Sequence, residues 1–370
     1  MENMKLEELK GKAEDGNMLA QNELGLILYE YQENYYEAVK WFKKSAEQGL
    51  AEAQYNLGLM YYVGVGLEQN YYEAVKWFEK SAEQGYVDAQ YNFAVMYYEG
   101  KGVLQNDYEA VRWYKKSAEQ GLAEAQYSLG LMYQNGKGIE QNDYEAVRWY
   151  KKSAEQGLAK AQNNLAWMYQ NGKGVIQDDY EAVKWYKKSA EQGNSKAQCS
   201  IGFMYLKGNG VIRDEHEAIK WFKKSAEQGY EVAQCNMGII YEDGIGVEQN
   251  YYEALKWYKK SAKQGYNTAK NRLIILEDKI DDTEESEYKN SGGCFIATAV
   301  YNSPTAPKVM VLREFRDQKL LTNKAGERFV QFYYRNSPPI ANFLSRHKFL
   351  SEVVRVGFIE PLVWGVRKLI

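Results

Sequence analysis

The sequence predicts an all-α protein built from repeated pairs of helices, and two observations support this fold class. The nonapeptide WFKKSAEQG at Trp41–Gly49 recurs with small changes every 36 residues, in seven copies. The chain has no proline before Pro304, so no proline ring interrupts a helix across these copies. A fixed period of this length indicates a repeat array, in which stacked helix pairs bury one continuous core.

Each unit divides into two helices joined by a glycine-containing loop. In one unit, helix A spans residues 51–62 and helix B spans 71–84, with Gly64 and Gly66 between them. Gly85 is predicted to end helix B in the left-handed conformation. A capping box is expected at the start of helix B: an Asn or Asp side chain accepts an amide hydrogen, and the Glu three residues later bonds back to the cap amide. These pairs are Asn34/Glu37, Asn70/Glu73, Asn106/Glu109, Asn142/Glu145, Asp178/Glu181, Asp214/Glu217 and Asn250/Glu253.

Two recurring features indicate how the helices pack. Gly58 lies inside helix A, where glycine lowers helix propensity, and the equivalent residues are also Gly or Ala. A small residue at this place suggests a close approach between helices. Trp77 and its six equivalents, together with Ala74 and Ala82, are predicted to lie in the core.

The pattern A-x-x-x-L-G-x-M-Y, the two-glycine loop, EAVKWY and SAEQG together resemble the Sel-like repeat, a tetratricopeptide-like family, over residues 1–279. The resemblance implies a right-handed α/α superhelical solenoid. We expect a short N-terminal unit, because only 33 residues separate Gly16 from Gly49, then six full units and a capping helix that ends near Leu276. An acidic, then glycine-rich linker follows at 280–293, and a small, mostly helical domain at 294–370.

The resemblance also implies that helix A lines the concave face, where related tetratricopeptide proteins hold peptides. Three positions of helix A vary strongly between units and share one face, because they are spaced by three and four residues. We predict that they bind an extended or helical peptide of a partner protein, with Trp167 as the aromatic anchor. Surface variation without any ligand is the alternative. The predicted partner-binding residues are Tyr55, Leu59, Tyr62, Tyr91, Tyr98, Tyr127, Gln134, Asn163, Trp167, Gln170 and Phe203.

The array shows no pattern typical of a catalytic, metal or cofactor site. The two histidines, His216 and His347, lack ligand spacing to the cysteines, and no Ser/His/Asp set is recognisable. The Gly-x-Gly pairs follow no strand and are interpreted as turns. Cys199 and Cys235 occupy equivalent positions in successive units, too far apart for a disulfide. We therefore predict a non-enzymatic protein without metal or cofactor.

Charge is distributed unevenly along the chain. The net charge is −3, but residues 291–370 carry 12 Lys/Arg and 5 Asp/Glu, which makes this segment +7 and the remainder −10. The first residues lack the apolar core of a secretory signal, and no apolar run is long enough for a transmembrane helix. The expected location is the cytoplasm, with membrane association through the C-terminal domain as an alternative.

The C-terminal segment resembles the CFI-box domain of bacterial and archaeal proteins. The resemblance rests on Cys294–Ala299, Leu312–Phe315, Tyr333–Tyr334, Ser337–Ala341 and the stretch from Val354 to Val363, while Val300 and Asn302 depart from the commoner Ala and Gly. Three interpretations of Cys294 stay open: a buried thiol, a modified or processed residue made accessible by the preceding glycines, and a nucleophile acting with His347.

The basic C-terminal segment is also amphipathic, which allows two further interpretations. It can lie on an anionic membrane surface, or its apolar residues can form the core of the domain. Nucleic acid is not predicted, because the acidic array would oppose it. The residues concerned are Phe358, Leu362, Val363, Trp364 and Leu369, with Arg355, Arg367 and Lys368.

Three hypotheses about function follow. The first is an adaptor whose array binds a protein or peptide and whose C-terminal module positions it. The second is an enzyme or processed protein that uses Cys294. The third is an intramolecular association of the acidic array with the basic tail. The sequence carries no signal for an oligomeric state.

Overall fold

A computed structural model describes residues 2–277, 279, 312, 344, 351–352, 354–355 and 359–366, with side chains from Leu6 to Val363. Contacts between Cα atoms divide the chain into two compact units, Met1–Lys270 and Asn271–Ile370. Cys294 and His347 lie outside the described residues, as do most residues that carry the CFI-box resemblance.

The first unit is an array of helices of equal length. Each of α1 to α15 has 13 residues, and the even-numbered helices from α2 to α14 are the A helices, while the odd-numbered ones from α3 to α15 are the B helices. Two further helices are described, α16 over residues 267–277 and α17 at Glu360–Val366. The bounds are α1 Glu2–Glu14, α2 Met18–Glu30, α3 Tyr35–Glu47, α4 Ala51–Val63, α5 Tyr71–Glu83, α6 Val87–Glu99, α7 Asp107–Glu119, α8 Ala123–Asn135, α9 Asp143–Glu155, α10 Ala159–Asn171, α11 Asp179–Glu191, α12 Ser195–Lys207, α13 Glu215–Glu227, α14 Glu231–Asp243 and α15 Tyr251–Lys263.

The stacking order follows the chain order. Among the described helices of this unit, every extensive contact joins helices that are consecutive in the sequence, from α1 with α2 to α14 with α15. The core is therefore continuous and one-dimensional, as in repeat proteins generally. The predicted all-α solenoid is confirmed.

Helix B begins as predicted, but only half of the expected capping box forms. Asn70 Oδ1 accepts the amide hydrogen of Glu73 at 3.1 Å, and the other six cap residues accept the corresponding amide. The amide of Asn70 donates instead to the carbonyl of Tyr61 in the preceding A helix, at 2.9 Å. The Glu73 carboxylate pairs with Lys76 at 2.7 Å. The expected return bond from Glu to the cap amide is therefore wrong, because a tertiary hydrogen bond already satisfies that amide.

Glycine is required where the loop meets the preceding repeat. Gly66 has a φ of +73°, and a Cβ there would lie 2.4 Å from the carbonyl oxygen of Tyr35 in α3. Gly85 has a φ of +91°, which confirms its predicted left-handed conformation at the end of α5. The Gly-x-Gly pairs thus set both the turn and the distance between successive repeats.

The aromatic core differs in one respect from the prediction. In every B helix except α7, the residue after the tryptophan is the more deeply buried ring: Phe78 is 1 % exposed, and its ring lies 2.7 Å from where a Cβ on Gly58 would be. This contact explains the small residue in helix A. The tryptophans are buried only in α7 to α13, whereas Trp41, Trp77 and Trp257 are half-buried. A lysine ammonium lies over the ring of each of these seven B-helix tryptophans, at 4.3 Å for Lys80 over Trp77, so the indole separates core from solvent.

The recurring SAEQG segment joins neighbouring helices through hydrogen bonds of its polar side chains. Ser81 Oγ donates to the carbonyl of Ala51 at 2.6 Å. Gln54 Nε2 donates to the carbonyl of Ala46 at 3.1 Å and its Oε1 accepts from Gln84 Nε2 at 2.8 Å. Ser81 and Gln54 are buried and fully paired, and equivalent bonds recur along the array.

Candidate partner-binding face on the A helices

All eleven predicted partner-binding residues lie on one face of the A helices α4 to α12. We call this surface the A-face and define it by the α4 residues Glu52, Tyr55, Asn56, Leu59, Tyr62 and Val63 and their equivalents in the other A helices. Of the eleven residues, ten are half-buried and Trp167 is exposed, with 41 % of its surface accessible. Most predicted residues of the A-face are thus partly buried, and the Trp167 indole is the most exposed of them.

The first row of the A-face consists of Tyr55 and its equivalents, the middle row of Leu59 and its equivalents, and the last row of Tyr62 and its equivalents. In the first row, the tyrosines of α4, α6 and α8 also pack internally. Tyr55, Tyr91 and Tyr127 lie 6.0, 5.7 and 5.9 Å from the buried ring of the following B helix, measured between ring centroids. Asn92 Nδ2 donates to Tyr55 Oη at 3.3 Å. Burial raises the pKa of Tyr55 to about 12. These rings form a fixed floor rather than a set of free side chains.

Asn163 stands in this row where the earlier repeats have tyrosine. Its Nδ2 donates to Asn164 at 3.3 Å, and its Oδ1 is buried without a hydrogen-bond partner among the described residues. Trp167 follows one turn later on the same face of α10. The asparagine therefore places a buried acceptor one helical turn before the exposed indole.

In the last row, Gln134 and Gln170 accept hydrogen bonds from the buried tyrosine of the next B helix. Tyr150 Oη donates to Gln134 Oε1 at 2.6 Å, and Tyr186 Oη donates to Gln170 Oε1 at 2.9 Å. The variation at Gln134 and Gln170 therefore has an intramolecular cause, which a spacing of 16 residues in the sequence would have revealed.

In the N-terminal half, the last row is aromatic and is held by loop lysines. The Tyr62 ring lies 5.4 Å from that of Tyr71, and Lys101 Nζ donates to Tyr62 Oη at 3.2 Å. The Glu99 carboxylate, 2.8 Å from Lys101 Nζ, contributes most to raising the pKa of that lysine, followed by Tyr62. Lys137 binds Tyr98 in the same way at 3.3 Å.

The middle row is apolar in every repeat and contains the exposed indole. Leu59, Val95 and Leu131 are half-buried, and Phe203 packs edge-to-face on Phe222 with 5.0 Å between ring centroids. Trp167 has no comparable aromatic contact among the described residues, and Asn171 Nδ2 donates to its main-chain carbonyl at 2.8 Å. It is the predicted residue that offers the most uncovered apolar surface.

A second set of exposed aromatics was not identified from the sequence. It consists of tyrosines at the second residue of the B helices, each followed four residues later by Lys or Arg. Lys76 Nζ lies 4.2 Å from the centroid of the Tyr72 ring. These tyrosines are 56 to 69 % exposed: Tyr36, Tyr72, Tyr108, Tyr144, Tyr180 and Tyr252.

The described thiols are buried. Cys199 and Cys235 form no disulfide with each other, and burial raises the pKa of Cys199 to about 12, so its thiol stays protonated at neutral pH. Among the residues that the structure describes, no three His, Cys, Asp or Glu side chains come together as a metal site. None of the described helices combines the length and apolarity that a membrane crossing needs.

The described residues of the second unit include five buried apolar side chains: Leu276, Leu312, Leu344, Ile359 and Val363. Val363 is 3 % exposed, whereas Leu362 is 53 % exposed. Of the predicted membrane-facing residues, Val363 therefore belongs to a core, and Leu362 is accessible.

Comparison with known proteins identifies the repeat. The family model of the Sel1 repeat matches residues 19–50, 51–86, 87–122, 123–158, 159–194, 195–230 and 232–266. The structure resembles a crystal structure of c5321, a protective antigen of uropathogenic Escherichia coli strains with an SLR fold, at 33 % identity and a TM-score of 0.69, covering 95 % of this chain and 72 % of that one.

A Sel1 repeat protein from Oxalobacter formigenes is similar at 34 % identity and a TM-score of 0.60, covering 65 % of this chain and 96 % of that one. The search of curated proteins found no match. The seven matched repeats coincide with the helix pairs α2–α3 to α14–α15. The chain therefore belongs to the Sel1 repeat family.

Proposed function

We propose that this protein is an interaction scaffold whose A-face binds a peptide segment of a partner protein. Sel1 and tetratricopeptide-like repeats generally mediate protein binding and are typically non-enzymatic. The observation that carries the proposal is the exposure of Trp167, in a row that is apolar in every repeat. Exposed tryptophans are the side chains most often responsible for binding energy at protein interfaces.

The neighbouring residues support this role for Trp167. Tyr127 and Phe203 are fixed by ring contacts to Tyr150 and Phe222, so they lose little freedom when a ligand binds. Gln170 is held by Tyr186, one turn after the indole. A partner would therefore meet a preorganised floor with one prominent apolar side chain.

Peptide display against the full chain tests this proposal. Peptides selected on the wild-type protein should lose about tenfold or more in affinity for Trp167→Ala. Tyr144→Ala is the matched control, because Tyr144 is 68 % exposed but lies on a B helix. Equal losses for both variants, or unchanged binding to Trp167→Ala, would place the ligand elsewhere.

We further propose that residues 294–370 form a separate CFI-box-like module that positions the array, with 280–293 as its linker and a membrane surface as the candidate location. The basic charge of this segment and the exposure of Leu362 support the proposal. Membrane fractionation of the full chain against a 1–290 truncation, with intact masses, tests it. We expect the full chain to pellet with membranes and the truncation to stay in solution, and a mass increase found only in the full chain would place a modification within residues 291–370, where Cys294 is the candidate. Equal solubility at unmodified mass would refute the membrane location.

A further inference from the structure

The A-face changes its charge along the array. On the stripe defined by Glu52, Asn56, Leu59 and Val63 and their equivalents, the first four A helices carry only acidic charges: Glu23, Glu30, Glu52, Asp88, Glu99 and Glu124. In contrast, α10 and α12 contain no acidic residue at all, and their charged residues are Lys160, Lys196 and Lys207. The sign of the face therefore reverses between α8 and α10.

The lysines of this segment have no carboxylate on their own helix to pair with. Lys160, Lys196 and Lys207 are exposed, as is Lys173 in the loop after α10, and none forms an ion pair with a described residue. On the B helices of the same repeats the charges balance, because α11 and α13 each carry three lysines and three acidic residues, and Lys184 binds Glu181 at 2.9 Å. The net positive charge of these two helix pairs therefore lies on the A helices.

These lysines flank the two largest apolar side chains of the middle row. Lys160 precedes Trp167 by seven residues, and Lys196 precedes Phe203 by the same distance. Two helical turns separate each pair, about 10 Å along the axis, so the members of a pair lie on one side of their helix. Charge and exposed aromatic surface therefore coincide at the lysine–aromatic patch, which we define as Lys160, Trp167, Lys173, Lys196, Phe203 and Lys207.

We propose that the lysine–aromatic patch binds an acidic segment of a partner protein that carries an aromatic or aliphatic side chain among its carboxylates. The proposal rests on the function proposed above and specifies its ligand. Unpaired lysines at the edge attract carboxylates, whereas the apolar contact with Trp167 supplies most of the affinity. The acidic stripe over α2 to α8 repels the same ligand, which confines it to α10–α12.

Fluorescence anisotropy with the full chain tests this ligand class. The probe is a labelled, glutamate-rich synthetic peptide of about a dozen residues with one phenylalanine and one leucine, long enough to span neighbouring A helices. We expect Lys160→Glu combined with Lys196→Glu to raise its dissociation constant about tenfold or more. Lys151→Glu combined with Lys187→Glu is the matched control, because it makes the same charge change at exposed residues of the B helices α9 and α11. We expect this control to change binding by less than about twofold.

Folding and ligand chemistry are controlled separately. Lys160→Arg combined with Lys196→Arg should keep the affinity within about threefold, because the charge is retained. Circular dichroism melts confirm that the exposed substitutions leave the array folded. A peptide with serine in place of its two apolar residues, and a single-stranded oligonucleotide of equal charge, should both bind at least about tenfold more weakly.

Three results would overturn the inference. Equal weakening by the patch and control reversals would indicate non-specific attraction. Equal binding of the serine peptide or the oligonucleotide would make the patch a general polyanion site. Absence of binding by the acidic peptide, while display-selected peptides still require Trp167, would leave the scaffold function intact and refute only the acidic ligand.

Discussion

At the scale of single residues, the buried ring after the tryptophan is matched in several repeats by a particular side chain of helix A. Tyr150 and Tyr186 carry hydroxyl groups and donate them to Gln134 and Gln170. Phe222 has no hydroxyl, and the equivalent residue of helix A is Leu206. Buried hydroxyl groups need a hydrogen-bond partner, so in these three repeats the two positions change together. A residue that differs from repeat to repeat can therefore serve packing as well as binding.

This pairing predicts the outcome of a double-mutant cycle. Tyr150→Phe alone should lower the free energy of unfolding by about 1 kcal/mol, because it removes one intramolecular hydrogen bond. Adding Gln134→Leu should recover part of this loss, since the pair then copies Phe222 and Leu206. Urea denaturation of the four proteins measures the coupling energy. Additive effects would show that the Tyr150–Gln134 bond contributes no stability.

At the scale of elements, each B helix is joined to its own A helix at the cap residue that precedes it. The Asn142 side chain caps α9 by accepting from the amide of Glu145 at 3.1 Å, and the Asn142 amide donates to the carbonyl of Tyr133 at 2.9 Å. The Glu145 carboxylate pairs instead with Arg148 at 3.2 Å. Asn142 thus caps the start of α9 and at the same time attaches the loop to α8 through its main-chain amide.

Two substitutions in this segment should therefore differ in effect. Asn142→Ala should destabilise the array by about 1 kcal/mol through loss of the side-chain cap. Glu145→Ala should cost only about 0.3 kcal/mol, because it removes an exposed ion pair one turn apart. Both values are obtained from urea denaturation midpoints. A Glu145→Ala loss as large as that of Asn142→Ala would support the capping box, because it would mean that the Glu145 side chain also holds the cap amide.

At the scale of the whole molecule, stability is distributed over many equivalent interfaces, each with a buried aromatic ring. Burial raises the pKa of Tyr55 and Tyr186 to about 12 and raises that of Tyr114 and Tyr150 further above its usual range. Because the folded state holds these protons more tightly than the unfolded state, ionisation is linked to unfolding.

The array should therefore unfold in alkali. The contribution of these tyrosines is fully present below about pH 10, the pKa of an unfolded tyrosine, and is lost as the pH rises toward their folded values. Circular dichroism recorded against pH should show loss of helix together with a late, cooperative rise in tyrosinate absorbance. Exposed tyrosines contribute an early part of the absorbance rise, so complete ionisation of all tyrosines without loss of helix is the result that would show the buried rings to be accessible in the folded state.

Much of the fold was predictable because each repeat contains the same helix-capping residue and the same turn glycines. The period, the helix starts at Asn70 and its equivalents, and the left-handed Gly85 all follow from short-range chemistry. The placement of Trp167 on a common face with Asn163 and Gln170 follows from helical spacing alone.

Other features depended on residues that meet only in the folded array. Whether Trp77 or Phe78 lies deeper depends on the neighbouring helix at Gly58, and the fate of the Asn70 amide depends on the carbonyl of Tyr61. In the same way, the sequence by itself determined which residues the A-face contains, but only tertiary packing decided that Gln134 is held by Tyr150 while Trp167 stays exposed. Helix geometry is local, whereas burial and hydrogen-bond pairing depend on side chains contributed by the next helix.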